Sequence, residues 1–402
     1  MESIRNQAIP IERLTEGEGC YFFGYYDAAA FDAGGKFHLY HRVGFLDRLP
    51  AGDDPAELGM VNVETKEKIK IAETTAWNFQ QGAMFQWNPA APDSEVVYNM
   101  RAGETYRSVI KNIKTGKERM LEMPVATLDP KGRYALGINF SRVFDFRPGY
   151  GYRGVADANK NIEAPENDGV FRIDMKTGKS RLILSLHQIH GLLQDTGSIV
   201  KKGKIVVNHI TCNTDGSRFV ILVRNFPELG RKIGNVTWGT VAITANADGG
   251  DTYVLNGYSM TSHYHWRDDR YFLAYAKHAE GDQLYLLRDK SQKYEIIDRD
   301  FFKSDGHCNY APDRGQILYD GYPETPVYGY GPGSNYSYRN LYVYDLRRRQ
   351  GRKLASLYSS SISDSDPETR CDLHPRWHPN GKIISFDSTH ENQRHIYIVQ
   401  LA

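Results

Sequence analysis

Four histidines in the second half of the chain share one register. His209 ("HITC"), His263 ("HYHW"), His307 ("HCNY") and His374 ("HPRW") each stand three residues ahead of an aromatic residue or, in the first case, of Cys212. A neutral imidazole binds Zn²⁺ and similar divalent ions, and it also accepts and returns protons near neutral pH. One histidine at a strand start is most often a hydrogen-bonded structural residue. Four at an equivalent position point instead to a cluster, either a metal centre or an acid–base site. Cys308 beside His307 and Cys371 three residues ahead of His374 stand close enough to add a thiolate. His265, His278, His378, His390 and His395 break the register and read as turn caps or solvent-facing groups, while Cys20 and Cys212 read as core.

Residues so far apart meet only if a repeated element brings them together. The repeat is a short apolar strand, a turn of Asp, Asn, Pro or Gly, and a second apolar strand. It occurs seven times: "AAFDAGGKFHLYH", "FQWNPAAPDSEVVYN", "ATLDPKGRYALGI", "ITCNTDGSRFVILV", "YHWRDDRYFLAYA", "CNYAPDRGQILYD" and "PRWHPNGKIISFD". Between them lie further hairpins, such as "GMVNVETKEKIKIAET", "VFRIDMKTGKSRLIL" and "NLYVYDLRRRQGRKLASL", with alternating apolar residues around a turn. No long apolar stripe of period 3.6 occurs, so helices are expected to be few and short.

Two hairpins per unit and seven units predict an all-β fold, one seven-bladed β-propeller domain over residues 1–402 with four antiparallel strands per blade. A sandwich or a two-domain β protein is the alternative. In a propeller the innermost strands start near one face of a central channel, so the four histidines would form part of a ring. Ala28, Met84 and Val125 hold that register in the first three units. The widest gap between turns contains "FRPGYGYRGVADANKNIEAPENDG" (146–169), a Gly/Tyr/Arg-rich insertion that reads as too polar for core. Long loops in compact domains are often functional.

Composition excludes several classes. Lys+Arg total 50 and Asp+Glu 49 among 402 residues, a balance that points to neither nucleic acid nor an anionic membrane. Aromatic residues make up 12%, with 27 tyrosines and 37 glycines, which suits short strands, tight turns and a carbohydrate-binding surface. Four scattered cysteines do not make a disulfide framework. No stretch approaches the roughly 18 apolar residues of a membrane span. The N-terminal "MESIRNQAIPIERL" lacks the apolar core of a secretory signal, so a cytoplasmic location is expected.

The aligned turns, with "SHYHW", "DGHCNYAPD" and "DLHPRWHPNGKIISFDSTH", resemble the seven-bladed propeller polysaccharide lyases built on a TolB-like propeller, namely the oligogalacturonate, ulvan and rhamnose-glucuronate lyases. "YFFGYYD", "TAWNFQQG" and "RPGYGY" resemble the ulvan-lyase-like side of that group. The resemblance implies β-elimination at a uronic acid in an oligo- or polysaccharide. A cation neutralises the carboxylate, a base removes the C5 proton, and an acid protonates the leaving O4.

By the same resemblance, His263, His307 and His374 correspond to metal-binding histidines, with Cys371 as a fourth ligand. Zinc is the first expectation for the divalent metal, with manganese or calcium as alternatives. The metal is catalytic in oligogalacturonate lyases and structural in the ulvan lyases; a filled Cys-plus-three-His shell would favour the structural role, because it leaves no open position. His209 stands where a catalytic histidine is expected, with Arg224 as a candidate carboxylate partner, although a blade-edge salt bridge is the simpler role for Arg224. Tyr150 is a further catalytic candidate. Gln81, Arg147, Tyr152 and Asp168 are candidates for the substrate groove.

One departure bears on substrate and base. Oligogalacturonate lyases place their basic arginine just ahead of a strand resembling "FRIDMKTG", whereas here "ENDGVFRID" puts Asp168 and Gly169 there. This leaves the base open and shifts the expected sugar from pectin towards glucuronate or iduronate beside rhamnose. Two other readings compete: a non-catalytic propeller that binds glycan or protein, and a glycoside hydrolase using Asp168 and Asp305 as paired carboxylates.

Overall fold

The computed structural model describes residues 4–226, 239–321, 337–359 and 369–401, with only the backbone of Arg5 and Ser337. Seven antiparallel sheets follow one another along the chain. Their innermost strands are Cys20–Phe22, Gln86–Trp87, Thr127–Leu128, Ile205–Cys212, Thr261–Trp266, Gly306–Tyr310 and Arg376–Trp377. Each of the seven turn repeats joins a first strand to a second. The intervening hairpins are outer ones, as in Ala56–Asn62 with Lys68–Thr74. The fold is the expected seven-bladed β-propeller. Its last blade is closed by the other end of the chain, since Ile11–Arg13 pairs with His395–Gln400 as the outermost strand. Ile4–Arg5 adds a fifth strand to blade 6.

Local chemistry explains the repeat. In blades 1, 3, 4 and 5 an Asp or Asn at the start of the inner turn accepts a backbone N–H from the returning strand, as Asp32 does from Phe37 (2.7 Å) and Asp129 from Arg133 (2.9 Å). In the outer hairpins of blades 1 to 3, Asn62, Asn112 and Asp174 each hold two turn N–H groups in the same way. The core lies between blades: Val220, Leu222 and Ala242 of blade 4 pack against Trp266, Phe272 and Tyr285 of blade 5.

The long gap between the third and fourth turns holds α1 (Phe140–Phe146) and α2 (Leu186–Leu193), both short. Asn139 caps α1 by accepting the Arg142 N–H, and Ser185 with Gln188 forms a capping box on α2. The Gly/Tyr/Arg-rich segment runs from α1 to the third strand of blade 3, Gly169–Asp174. It is more buried than its composition suggests, because Tyr150 and Tyr152 are 2% and 0% exposed and belong to the core around blades 3 and 4. Arg142 ties the segment down. Its guanidinium donates to the carbonyls of Asn159, Ile162, Glu163 and Ile205 and to Asp157, a set that uses the five-donor fork of arginine.

Candidate active site

Three of the four histidines in register lie in the innermost strands of blades 4, 5 and 6, and His374 stands two residues ahead of that of blade 7. Two of these strands are bulged. Pairing slips between Val207 and His209, leaving Asn208 extra, and between Thr261 and Tyr264. A bulge breaks the two-residue alternation and re-aims side chains, which lets neighbouring residues face one cavity. His374 has φ +42°, a left-handed conformation uncommon outside glycine, and Asp320 accepts its N–H at 3.1 Å.

His307, Asp372 and His374 present ligand atoms within 4.8 Å of one another, all buried. Asp320 holds Nδ1 of His307 at 2.9 Å, leaving Nε2 as the atom to face the group. Both ring nitrogens of His374 are buried without a hydrogen-bond partner among the described residues. A buried imidazole in that state is costly, and a bound cation would relieve it. Burial holds both histidines well below the usual imidazole range, so they are neutral, as ligands must be. Asp372 stays ionised beside Arg370 (2.9 Å) and Arg339 (3.4 Å), which hold its pKa well below the ordinary carboxylate value. Two imidazoles and a carboxylate fit a divalent cation and leave coordination positions open.

His263 adjoins this group without entering it. Its ring centroid is 3.9 Å from that of His307, and its Nδ1 pairs with Asp305 at 2.9 Å. Cys371 is turned away: its Sγ donates to the Asp372 carbonyl at 3.7 Å, and burial pushes its pKa up to about 12. The expected Cys-plus-three-His set is therefore replaced, among the described residues, by two histidines and the neighbouring aspartate. Cys308 is likewise a buried thiol with a raised pKa.

A second cluster surrounds His209. Its ring stacks on Tyr25 (4.9 Å), meets Tyr150 edge-on (5.5 Å), and brings Nδ1 to 3.3 Å from the Gln81 side-chain amide. Asn78 shapes the Gln81 turn by accepting the N–H groups of Gln80 and Gln81. Burial first, then Arg224, depresses the His209 pKa well below 6.5, so the ring is a neutral base. Arg224 is buried and its own pKa is lowered to about 10, by burial and then by Arg147, so the two cations share a neighbourhood. Arg147 also lies over the Tyr150 ring at 4.3 Å. Arg224 thus lies buried in the neighbourhood of His209 and Arg147. Arg370 joins the two clusters, since it donates to Tyr150 Oη (3.1 Å) and pairs with Asp372.

Two groove candidates are packing residues instead. Tyr152 stacks on Phe140 (4.3 Å, 10°) and its hydroxyl bonds Asn99. Asp168 accepts from Asn139 (2.8 Å) and the Gly169 N–H (2.7 Å), bracing the start of α1. Among the described residues Asp168 and Asp305 share no hydrogen-bond partner: Asp168 is held by Asn139 and Gly169, Asp305 by Ser262 and His263. Of the off-register histidines, His378 does cap its turn, accepting the Asn380 N–H, whereas His390 and His395 are buried rather than solvent-facing.

Asp372, Asp320, Tyr25 and Arg370 escaped sequence reasoning. Tyr25 lay in a noticed segment, "YFFGYYD", but no spacing rule assigned it a role. Gly24 explains its placement: at φ +123° a Cβ would meet the Gln81 carbonyl at 2.8 Å, so only glycine lets the "GYYD" and "FQQG" loops close on His209.

No family model and no curated protein matches the chain. Solved structures do. An oligogalacturonate lyase from Vibrio parahaemolyticus matches with TM-score 0.65 and 15% identity over 99% of this chain and 95% of that one. An oligogalacturonate lyase in complex with manganese matches with TM-score 0.67 and 15% identity over 100% and 95%. The β-propeller domain of the Pyrococcus furiosus Trilobed protease matches at 0.52 and 11% over 96% and 94%. At such identities the likeness carries the fold, and function rests on the site.

Proposed function

We propose that this protein is a divalent-cation-dependent lyase that cleaves a uronate-bearing saccharide by β-elimination. One observation carries the reading: a neutral buried imidazole, His209, faces the Arg224 and Arg147 cations beside the His307–Asp372–His374 group. Elimination needs that combination of a base and a strongly cationic carboxylate site. The names of the two lyase neighbours support a uronate substrate and a divalent ion, manganese in one case. With no thiolate in the group, manganese fits it at least as well as zinc.

Arg224 and Arg147 would bind and orient the uronate carboxylate. A cation held by His307, Asp372 and His374 would supply further neutralisation, acidifying C5. His209 takes the C5 proton. Tyr150, whose hydroxyl oxygen accepts a hydrogen bond from Arg370, protonates the leaving O4. Glucuronate or iduronate beside rhamnose is the proposed sugar, because Asp168 and Gly169 occupy the place of the pectin enzymes' basic arginine.

The test supplies polygalacturonate and, separately, a rhamnose–glucuronate polysaccharide, and follows the ultraviolet absorbance of the unsaturated product. A rise that needs added manganese or zinc and vanishes in His209→Ala supports the reading. Tight glycan binding without product would replace it with a binding platform.

A further inference from the structure

We propose that Asp27 is a second proton-carrying residue of this site, joined to His209 by one water seated on Asn208. The inference rests on the lyase reading above. Beside His209 the channel contains a cavity with room for about one water molecule, whose polar lining is Asp27, Gln81, Asn208, His209 and Tyr264. Asn208 is the extra residue of the blade 4 bulge, which explains how it and His209 line the same space. It is 1% exposed, and neither amide atom has a hydrogen-bond partner among the described residues. Leaving an amide so buried and unanswered is costly, and a water in the cavity answers both atoms.

Asp27, from the turn after Cys20–Phe22, sits against the next position on the same face of the blade 4 strand. Thr211, two residues beyond His209, donates from Oγ1 to the Asp27 carboxylate at 2.9 Å and meets the Tyr264 hydroxyl at 3.1 Å. Alternation puts positions 209 and 211 on one strand face roughly 7 Å apart, too far for a direct bond and suited to one bridging water. Asp27 has no cation partner among the described residues, and it is only half-buried, so it reaches solvent. Burial raises its pKa to about 6, with Thr211 opposing, while Tyr26 and Tyr264 are the titratable groups around it. His209 faces Arg224, Arg147, His263 and His307, all of which disfavour its protonated form.

After elimination His209 holds the C5 proton as an imidazolium. The water accepts that proton while passing one of its own to the Asp27 carboxylate, and Asp27 releases it to bulk solvent. His209 is neutral again, no electrons are transferred, and no co-reactant is consumed.

The experiment compares unmodified protein with Asp27→Asn and Asn208→Leu on whichever uronate polysaccharide it cleaves, in dilute and in concentrated imidazole buffer. The expected result is a kcat at least about tenfold lower in Asp27→Asn in dilute buffer, with KM little changed, and recovery as imidazole replaces the lost carrier. A kcat within twofold of the unmodified protein, or a loss that buffer does not restore, overturns the relay. So does an electron-density map of the unmodified protein with no water on Asn208, a test that needs no turnover. A protein inactive before mutation refutes the lyase reading; an active one with an indifferent Asp27→Asn variant refutes only the relay.

Discussion

Both carboxylate oxygens of Asp320 lie 2.9 Å from Nδ1 of His307. The same carboxylate accepts the backbone N–H of His307 (2.6 Å) and of His374 (3.1 Å). One buried group in the second strand of blade 6 therefore orients candidate ligands from two blades. Replacing such an orienting partner commonly costs 10- to 100-fold in metal affinity. Asp320→Asn is expected to weaken manganese binding by about that factor in calorimetric titration, and an unchanged affinity would remove Asp320 from the site.

The ligand set is tested by its neighbours in sequence. Asp372→Asn and His374→Ala should emerge from purification without stoichiometric metal by elemental analysis. Cys371→Ser should keep it, because its Sγ is bonded to a backbone carbonyl away from the group. Loss of metal from Cys371→Ser would restore the thiolate set.

His209→Gln keeps much of the side-chain volume and removes the base. Turnover should fall by about 10²- to 10⁴-fold, with metal content unchanged. A fall explained entirely by lost metal would make His209 a structural member of the ring.

Arg142 reaches Asp157 and four backbone carbonyls from a position 1% exposed. Arg142→Ala leaves four carbonyls without their donor and Asp157 with only Lys204 (3.8 Å) as a cation partner, and is expected to cost about 3–5 kcal/mol in urea unfolding. Because the same segment carries Arg147 and Tyr150, activity should fall at temperatures where most of the protein is still folded. A change below 1 kcal/mol would mean that the segment is held otherwise.

Stability should fall on mild acidification. Buried His41 is depressed from 6.5 to about 3, and His390 and His395 to about 4, each chiefly by desolvation. A folded-state pKa below the unfolded one gives stability that is complete above pH 6.5 and lost as pH falls towards 4. Asp27, raised to about 6, and Asp168 and Asp320, also raised by burial, act with the opposite sign, but the buried histidines held low outnumber them, with His38, His209, His265, His307 and His374 depressed as well. Each histidine contributes a slope of up to about 1.4 kcal/mol per pH unit in that window. Urea unfolding should be level above pH 7 and weaken steadily from 6.5 to 4; a level profile down to pH 4.5 contradicts this.

Legibility in sequence followed the range of the forces involved. The "NVETKEK", "NIKTGKE" and "DMKTGKS" hairpins are readable because Asn or Asp holds N–H groups only two and three residues away. The register of the four histidines is readable for the same reason, since each is counted from its own turn. The choice between Cys371 and Asp372 was not, because alternation fails where His374 takes a left-handed φ. Tyr152 and Asp168 looked exposed in a glycine-rich segment, and only the arginine fork of Arg142 shows why that segment is buried.

What the sequence alone determined was the number of blades, the strand and turn pattern and the shared position of the histidines, since all of these come from apolar alternation and turn hydrogen bonds within a few residues. Only the tertiary structure decided which groups stand together. Closing the ring sets Tyr25 against His209 and Asp320 beneath His374, and bulges of one residue re-aim the strands that carry His209 and His263. Those relationships depend on contacts between blades, on bulges and on burial, which no local pattern of residues encodes.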